Sequence, residues 1–131
     1  TTRRRQIRVV YEDPAGIDVN DVRSRVQWTY EDNCTTAGSR SPYWDWFEQS
    51  GWRRETYSSA GEKDCTYGMT SVVTAQFIND SFCPTGNVHT RFDPVYYQGR
   101  SDGNGYWEQN VDKYGAYCHN FLSKNVTIGS W

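Results

Sequence analysis

The residues best suited to recognising a partner stand at the start of the chain, where four arginines fall within the first eight positions. A guanidinium group offers a planar fork of donors that matches carboxylates and phosphates. The valines and tyrosine that follow have strand character, which also suits main-chain pairing with a second protein. We predict that residues 1–13 form a basic N-terminal arm or edge strand that docks a partner. The residues predicted to contact that partner are Arg3, Arg4, Arg5, Arg8, Val9 and Tyr11.

Two other interpretations of this segment stand beside that one. A solvated, frayed terminus would carry arginines for solubility alone. A nucleic-acid tail is disfavoured, because nucleic-acid binders normally show a basic face across the fold. This chain instead has a formal net charge of −2. The expected partner is therefore another secreted protein and not nucleic acid.

An aromatic segment at residues 43–52 is the second candidate contact surface. Planar rings stack on sugars and also form the centres of protein interfaces. The alternative is that the same rings pack against the core beneath a long loop. A ligand on this loop would make the chain a glycan-binding, lectin-like module or a secreted enzyme inhibitor. The candidate contact residues are Tyr43, Trp44, Trp46, Trp52 and Arg53.

Catalytic chemistry has little support in the sequence. His89 and His119 are the only histidines, and a histidine pair can support acid–base cleavage of a phosphodiester. No nucleophile elbow, HExxH motif or serine triad accompanies them. Residues 102–108 place oxygen ligands at alternating positions but lack the full set of a calcium loop, so a hairpin turn explains them. We expect a non-enzymatic protein with no catalytic residue, cofactor or metal, and a small hydrolase is the least favoured alternative.

The four cysteines predict two disulfides in an oxidising compartment. They are widely spaced and form no CxxC pair, which argues against zinc or redox chemistry. Three pairings are possible, and we favour the sequential one, 34–65 with 83–118, because it closes two loops of similar length. No apolar run approaches the roughly 18 residues of a membrane helix, so a secreted, extracellular protein without a membrane span is expected. The cysteines are Cys34, Cys65, Cys83 and Cys118.

The composition predicts an all-β fold. The chain has eleven Val and four Ile against one Leu, together with ten Tyr and six Trp. Such side chains suit a pleated sheet, whereas helices are built mainly on Leu, Ala, Glu and Lys. With turn signals every 8–12 residues, we expect one disulfide-stabilised domain over residues 14–131, a β-sandwich or small barrel of about seven to eight short strands.

Individual strands follow from alternation and turn residues. The clearest is 21–30, where Val22, Val26 and Trp28 alternate with Arg23 and Arg25. Residues 95–98 and 106–111 flank Asp-Gly and Asn-Gly turns and read as a hairpin, while 33–42 reads as a loop. The other predicted strands are 6–11, 52–57, 66–78, 87–92, 117–122 and 125–131.

Taken as a whole, the chain resembles the small adaptor subunit of Streptomyces umbrella toxin particles. The resemblance lies in its size, secreted character, two disulfides and basic N-terminal extension rather than in signature residues. In that family the subunit links a lectin to a larger toxin polypeptide, which implies a bacterial adaptor in a toxin complex. Secreted actinobacterial enzyme inhibitors share the same general properties.

Overall fold

The computed structural model describes all residues 1–131 and contains nine β-strands, two short 3-10 helices and no α-helix. The all-β prediction is confirmed. The strands are more numerous than the predicted seven to eight, and several span eleven residues or more. The 3-10 helices are Glu48–Ser50 and Tyr117–Phe121. The strands are β1 Thr2–Glu12, β2 Asp18–Glu31, β3 Cys34–Trp46, β4 Trp52–Ala60, β5 Lys63–Asp64, β6 Gly68–Cys83, β7 Gly86–Gly99, β8 Gly105–Gly115 and β9 Ser123–Gly129.

The strands form two antiparallel sheets, which favours the sandwich of the two predicted architectures. Sheet A has the order β3-β2-β1-β9, and sheet B has the order β4-β6-β7-β8 with β5 paired to β6. One cluster of 19 buried residues fills the space between them. It draws alternate residues from both sheets, as the two-residue period of a strand requires. Its largest fully buried members include Trp28, Trp52, Tyr11, Phe77 and Phe92.

The N-terminal segment is a strand of sheet A, and the structure does not confirm a protruding basic arm. Over residues 6–12, β1 pairs with β2 on one side and with β9 on the other. Ile7, Val9 and Tyr11 are at most 2% exposed, because they face the core. Residues 2–5 pair with β2 alone, since β9 ends at Gly129 opposite Gln6.

Two segments differ from their predicted secondary structure. Residues 34–42 of the predicted loop 33–42 lie within β3, which is joined to β2 by a tight turn at Asp32 and Asn33. These two residues have φ angles of 51° and 59°, the positive values that such hairpin turns require. The predicted strand 117–122 is a 3-10 helix, because the chain there crosses from sheet B to sheet A. The predicted hairpin is confirmed as β7 and β8.

Both predicted disulfides are present with the favoured pairing. Cys34–Cys65 joins β3 of sheet A to the turn that follows β5 in sheet B. Cys83–Cys118 joins β6 to the 3-10 helix before β9. Two disulfides are compatible with an extracellular protein. No helix of the protein has the length and apolar character needed to cross a membrane.

We predict that the core tolerates no side chain at Gly99, where β7 passes beneath Trp28. A Cβ atom there would lie 2.3 Å from the indole carbon Cδ2 of Trp28, which is 1% exposed and cannot move aside freely. Gly99→Ala should lower the free energy of unfolding by about 1–3 kcal/mol in chemical denaturation. Gly129→Ala is the matched control, because a Cβ there meets nothing within 4 Å. Equal denaturation midpoints for Gly99→Ala and Gly129→Ala would contradict the close packing of Gly99 against Trp28.

Candidate functional site

The strand β1 sends its arginines to opposite sides of sheet A. Arg4 and Arg8 alternate with the core residues Ile7 and Val9, so they point to the outer surface of the sheet. Three further strands or termini contribute to that surface. We call it the arginine face and define it as Arg4, Arg8, Arg23, Arg25, Tyr43 and Trp131.

Guanidinium groups and aromatic rings alternate across the arginine face. The guanidinium carbons of Arg4 and Arg25 lie 4.1 and 4.8 Å from the centroid of the Trp131 ring. Arg25 and Arg23 in turn lie 5.3 and 4.4 Å from the centroid of the Tyr43 ring. Each such contact stabilises by about 0.5–1 kcal/mol at an exposed site. The Trp131 indole also donates to the Val26 carbonyl over 3.1 Å, which fixes the ring between its two cations.

Asp21 neutralises one end of the arginine face. Arg8 and Arg23 stand directly opposite each other in the β1–β2 register, where like charges destabilise a sheet. Both arginines donate to Asp21 Oδ2 over 2.9 Å. Burial would raise the pKa of the Asp21 carboxyl, but the hydrogen bonds and charges of Arg23 and Arg8 outweigh burial and hold that pKa below its usual value.

The other end of the arginine face has no such compensation. Arg4 and Arg25 take part in none of the six ion pairs of the protein. Arg25 is held by the hydroxyl and carbonyl oxygens of Ser41, at 3.0 and 2.9 Å. Burial lowers the pKa of Arg25, and the neighbouring charge of Arg23 lowers it further. Two positioned cations on one indole therefore lack a carboxylate partner.

The remaining predicted contacts of the N-terminal segment lie on the inner side of sheet A. Arg3 donates from Nε to the Tyr30 hydroxyl over 3.1 Å, and Arg5 donates to the Ser130 hydroxyl. Burial raises the pKa of the Tyr97 hydroxyl, and the charges of Arg5 and Arg3 oppose part of that rise. Val9 and Tyr11 are buried in the core, so their side chains support β1 rather than face a partner.

The aromatic segment spans the edge strands of the two sheets, β3 and β4, and its side chains differ in exposure. Trp44 and Trp46 are half-buried against the core and donate to Thr74 O and Glu48 Oε1, both over 3.1 Å. Trp52 is 1% exposed, which leaves its ring unavailable to a ligand. Arg53 is exposed and paired with Asp80. Among the five candidates, Tyr43 alone joins the arginine face.

The two histidines lie on different elements and no hydrogen bond joins them. His89 in β7 has its Nδ1 atom 3.1 Å from Glu55 Oε1, and its ring stacks on Tyr114 at a centroid distance of 4.7 Å. His119 lies in the second 3-10 helix, and its buried Nδ1 has no partner. The protein contains no group of three or more His, Cys, Asp or Glu side chains arranged to hold a metal ion.

Sequence reasoning missed half of the arginine face. The alternation in β2 does place Arg23 and Arg25 on its polar side, but no local pattern connects them to Arg4, twenty residues earlier. No local sequence pattern predicts that Trp131 joins the arginine face, because its contacts depend on β9 pairing beside β1. The chain was also compared with protein-family models, curated proteins and solved structures, and none of them matches it.

The depressed pKa of Asp21 predicts an acid-dependent loss of stability. Because the pKa in the folded protein lies below the unfolded value of about 4, the stabilisation is present above that pH and is lost as pH falls through the folded pKa. Asp21→Asn should lower the free energy of unfolding by about 1–3 kcal/mol at neutral pH. The difference from the original protein should shrink in acid.

The matched control is Asp18→Asn, since the Asp18 side chain is 46% exposed and also contacts Arg8. An exposed pair of this kind is worth about 0–1 kcal/mol, so a small effect is expected. The free energy of unfolding of the original protein, Asp21→Asn and Asp18→Asn is measured by denaturant titration at several pH values. A deficit in Asp21→Asn that stays constant from neutral to acid pH would contradict the assignment.

Proposed function

We propose that this chain is a secreted, non-enzymatic binding module that docks an acidic partner protein through the arginine face. The observation that carries the proposal is the pair Arg4 and Arg25, which contact one indole ring and have no carboxylate partner. Arg and Trp are the residue types most enriched at the energetic centres of protein interfaces. Guanidinium groups already fixed in place lose little entropy when a carboxylate binds, which supports affinity.

The main chain beside Arg4 supports the same surface. Thr1 and Tyr30 exchange both of their backbone hydrogen bonds, so in the antiparallel pattern Arg3 and Arg5 also bond to β2. The N–H and C=O groups of Thr2 and Arg4 then point away from β2, beyond the end of β9. An extended partner segment can add to this short open edge, and the flanking arginines favour a segment rich in carboxylates.

Other features of the chain bear on where it acts and in what kind of assembly. The two disulfides support an extracellular location. His89 contacts Glu55 and Tyr114 and forms no hydrogen bond to His119, which supports a non-enzymatic role. Both suit an adaptor that links larger proteins, and the resemblance noted above suggests a toxin-like assembly as its specific form.

Removing the two cations that form no ion pair, Arg4 and Arg25, should weaken binding of the partner. The chain of residues 1–131 is immobilised and exposed to culture fluid from its native host, and captured proteins are identified. Each captured protein is then titrated against the original chain and against Arg4→Ala/Arg25→Ala by surface plasmon resonance. Two central interface residues should each weaken binding by about tenfold or more, so the double variant should lose roughly a hundredfold in Kd. The loss should be smaller at high salt.

The matched control is Arg53→Ala/Arg91→Ala, which removes the same charge from sheet B. Both of those arginines already have carboxylate partners, Asp80 and Asp112. This variant should bind like the original protein. Affinities are compared at a temperature at which both variants are folded, because the loss of three ring contacts should lower the thermal midpoint of Arg4→Ala/Arg25→Ala by several degrees. Equal affinity of the two double variants for every captured protein would overturn the proposal.

A further inference from the structure

A cleft of about 530 Å³ opens at the end of the sandwich where three turns meet. These are the β2–β3 turn, the β5–β6 turn and the β7–β8 turn. None of the residues that line the cleft belongs to the arginine face. We call it the turn cleft and define it as Asn33, Thr66, Tyr67, Gln98, Arg100 and Asp102, with Ser101 as its floor.

Covalent and buried polar contacts hold the walls of the turn cleft in place. The Cys34–Cys65 disulfide lies next to Asn33 on one wall and Thr66 on the other. Ser101 is 4% exposed, and its hydroxyl contacts Thr35 Oγ1 at 2.9 Å and donates to the Cys65 carbonyl at 2.6 Å. The β2–β3 and β5–β6 turns are therefore tied to each other and to the floor. A site fixed in this way loses little entropy on binding a ligand.

Tyr67 presents an aromatic ring on an immobilised backbone. Its N–H donates to Asp64 Oδ1 over 2.9 Å, and its carbonyl accepts from Gln98 Nε2 over 2.6 Å. The next residue, Gly68, has a φ of +103°, and a Cβ there would lie 1.9 Å from the Gly99 carbonyl oxygen. Tyr67 as a residue is 69% exposed, and its ring contacts no other aromatic ring. Nothing in the fold uses the exposed ring, although its backbone is fixed from three directions.

The polar groups of the turn cleft suit hydroxyl groups and disfavour anions. Asn33 supplies an amide and Asp102 a carboxylate, which together donate to and accept from alcohols. An adjoining depression of about 310 Å³ shares Asn33, Ser101 and Asp102 and adds Glu31 and Asp32. The cleft and the depression together are lined by three carboxylates, against the Arg100 guanidinium and the Thr1 amino group. A phosphate or an acidic sugar would meet net repulsion, whereas a neutral polyol would not.

We propose that the turn cleft binds a neutral sugar, with one pyranose ring stacked on Tyr67 and its hydroxyls bonded by Asn33 and Asp102. The pocket falls within the usual size range of small-ligand sites. The adjoining depression gives room for a second sugar residue. This site is separate from the arginine face and does not depend on the function proposed for that face.

Saturation-transfer NMR on residues 1–131 tests which sugars bind. The sugars are the methyl glycosides of glucose, galactose, mannose and N-acetylglucosamine and the disaccharides cellobiose and lactose. At least one sugar should receive saturation from the protein. The Kd of that sugar is then measured by titration, and Tyr67→Ala should raise it roughly tenfold, which is the effect of losing one ring contact. The variant should fold normally, because Asp64 and Gln98 bond only the backbone of residue 67.

Tyr117→Ala is the matched control, since Tyr117 is also 69% exposed and lies beside the other disulfide. It should bind the sugar as the original protein does. Absence of saturation transfer with all six sugars would overturn the proposal. So would a sugar that binds Tyr67→Ala and the original protein equally.

Discussion

The pairing of β1 with both β2 and β9 is the interaction on which the remaining structure depends. It places Ile7 and Val9 in the core, so Arg4 and Arg8 necessarily point outward. The register with β2 sets Arg8 directly against Arg23, and the buried carboxylate of Asp21 makes that arrangement stable. A shift of one residue would turn Arg8 toward the core and expose Ile7 and Val9. The same constraint therefore fixes the fold and the charged surface.

Charge on the arginine face is arranged unevenly along sheet A. At the Asp21 end the guanidinium groups are neutralised and contribute to stability. At the Trp131 end they are positioned by an aromatic ring and by Ser41, and they form no ion pair with a carboxylate. A protein that positions cations without neutralising them keeps their electrostatic attraction available to a partner. The turn cleft follows a different principle, because its disulfide and hydrogen bonds fix a polar cavity in which carboxylates outnumber cations.

Local patterns predicted the features that depend on local chemistry. The alternation in β2, the β7–β8 hairpin and both disulfide pairings are confirmed, because strand period, turn residues and loop length act over short distances. The polar stretch 33–42 was misjudged as a loop, since its Ser, Thr and Gly residues form a strand only through pairing with β2. The N-terminal segment looked like an arm because β9, more than a hundred residues later, supplies its second neighbour. Trp131 was missed for the same reason.

Residue-resolved amide hydrogen exchange across β1 tests the central claim most directly. If β1 lies within sheet A, the amides of Ile7, Arg8 and Val10 exchange slowly, while the N–H groups of Arg3 and Arg5 are protected and that of Arg4 is not. This alternation identifies a strand that is bonded on one side and open on the other. Uniformly fast exchange through Arg8 would contradict the account, because it would mean that the arginines occupy a detached terminus.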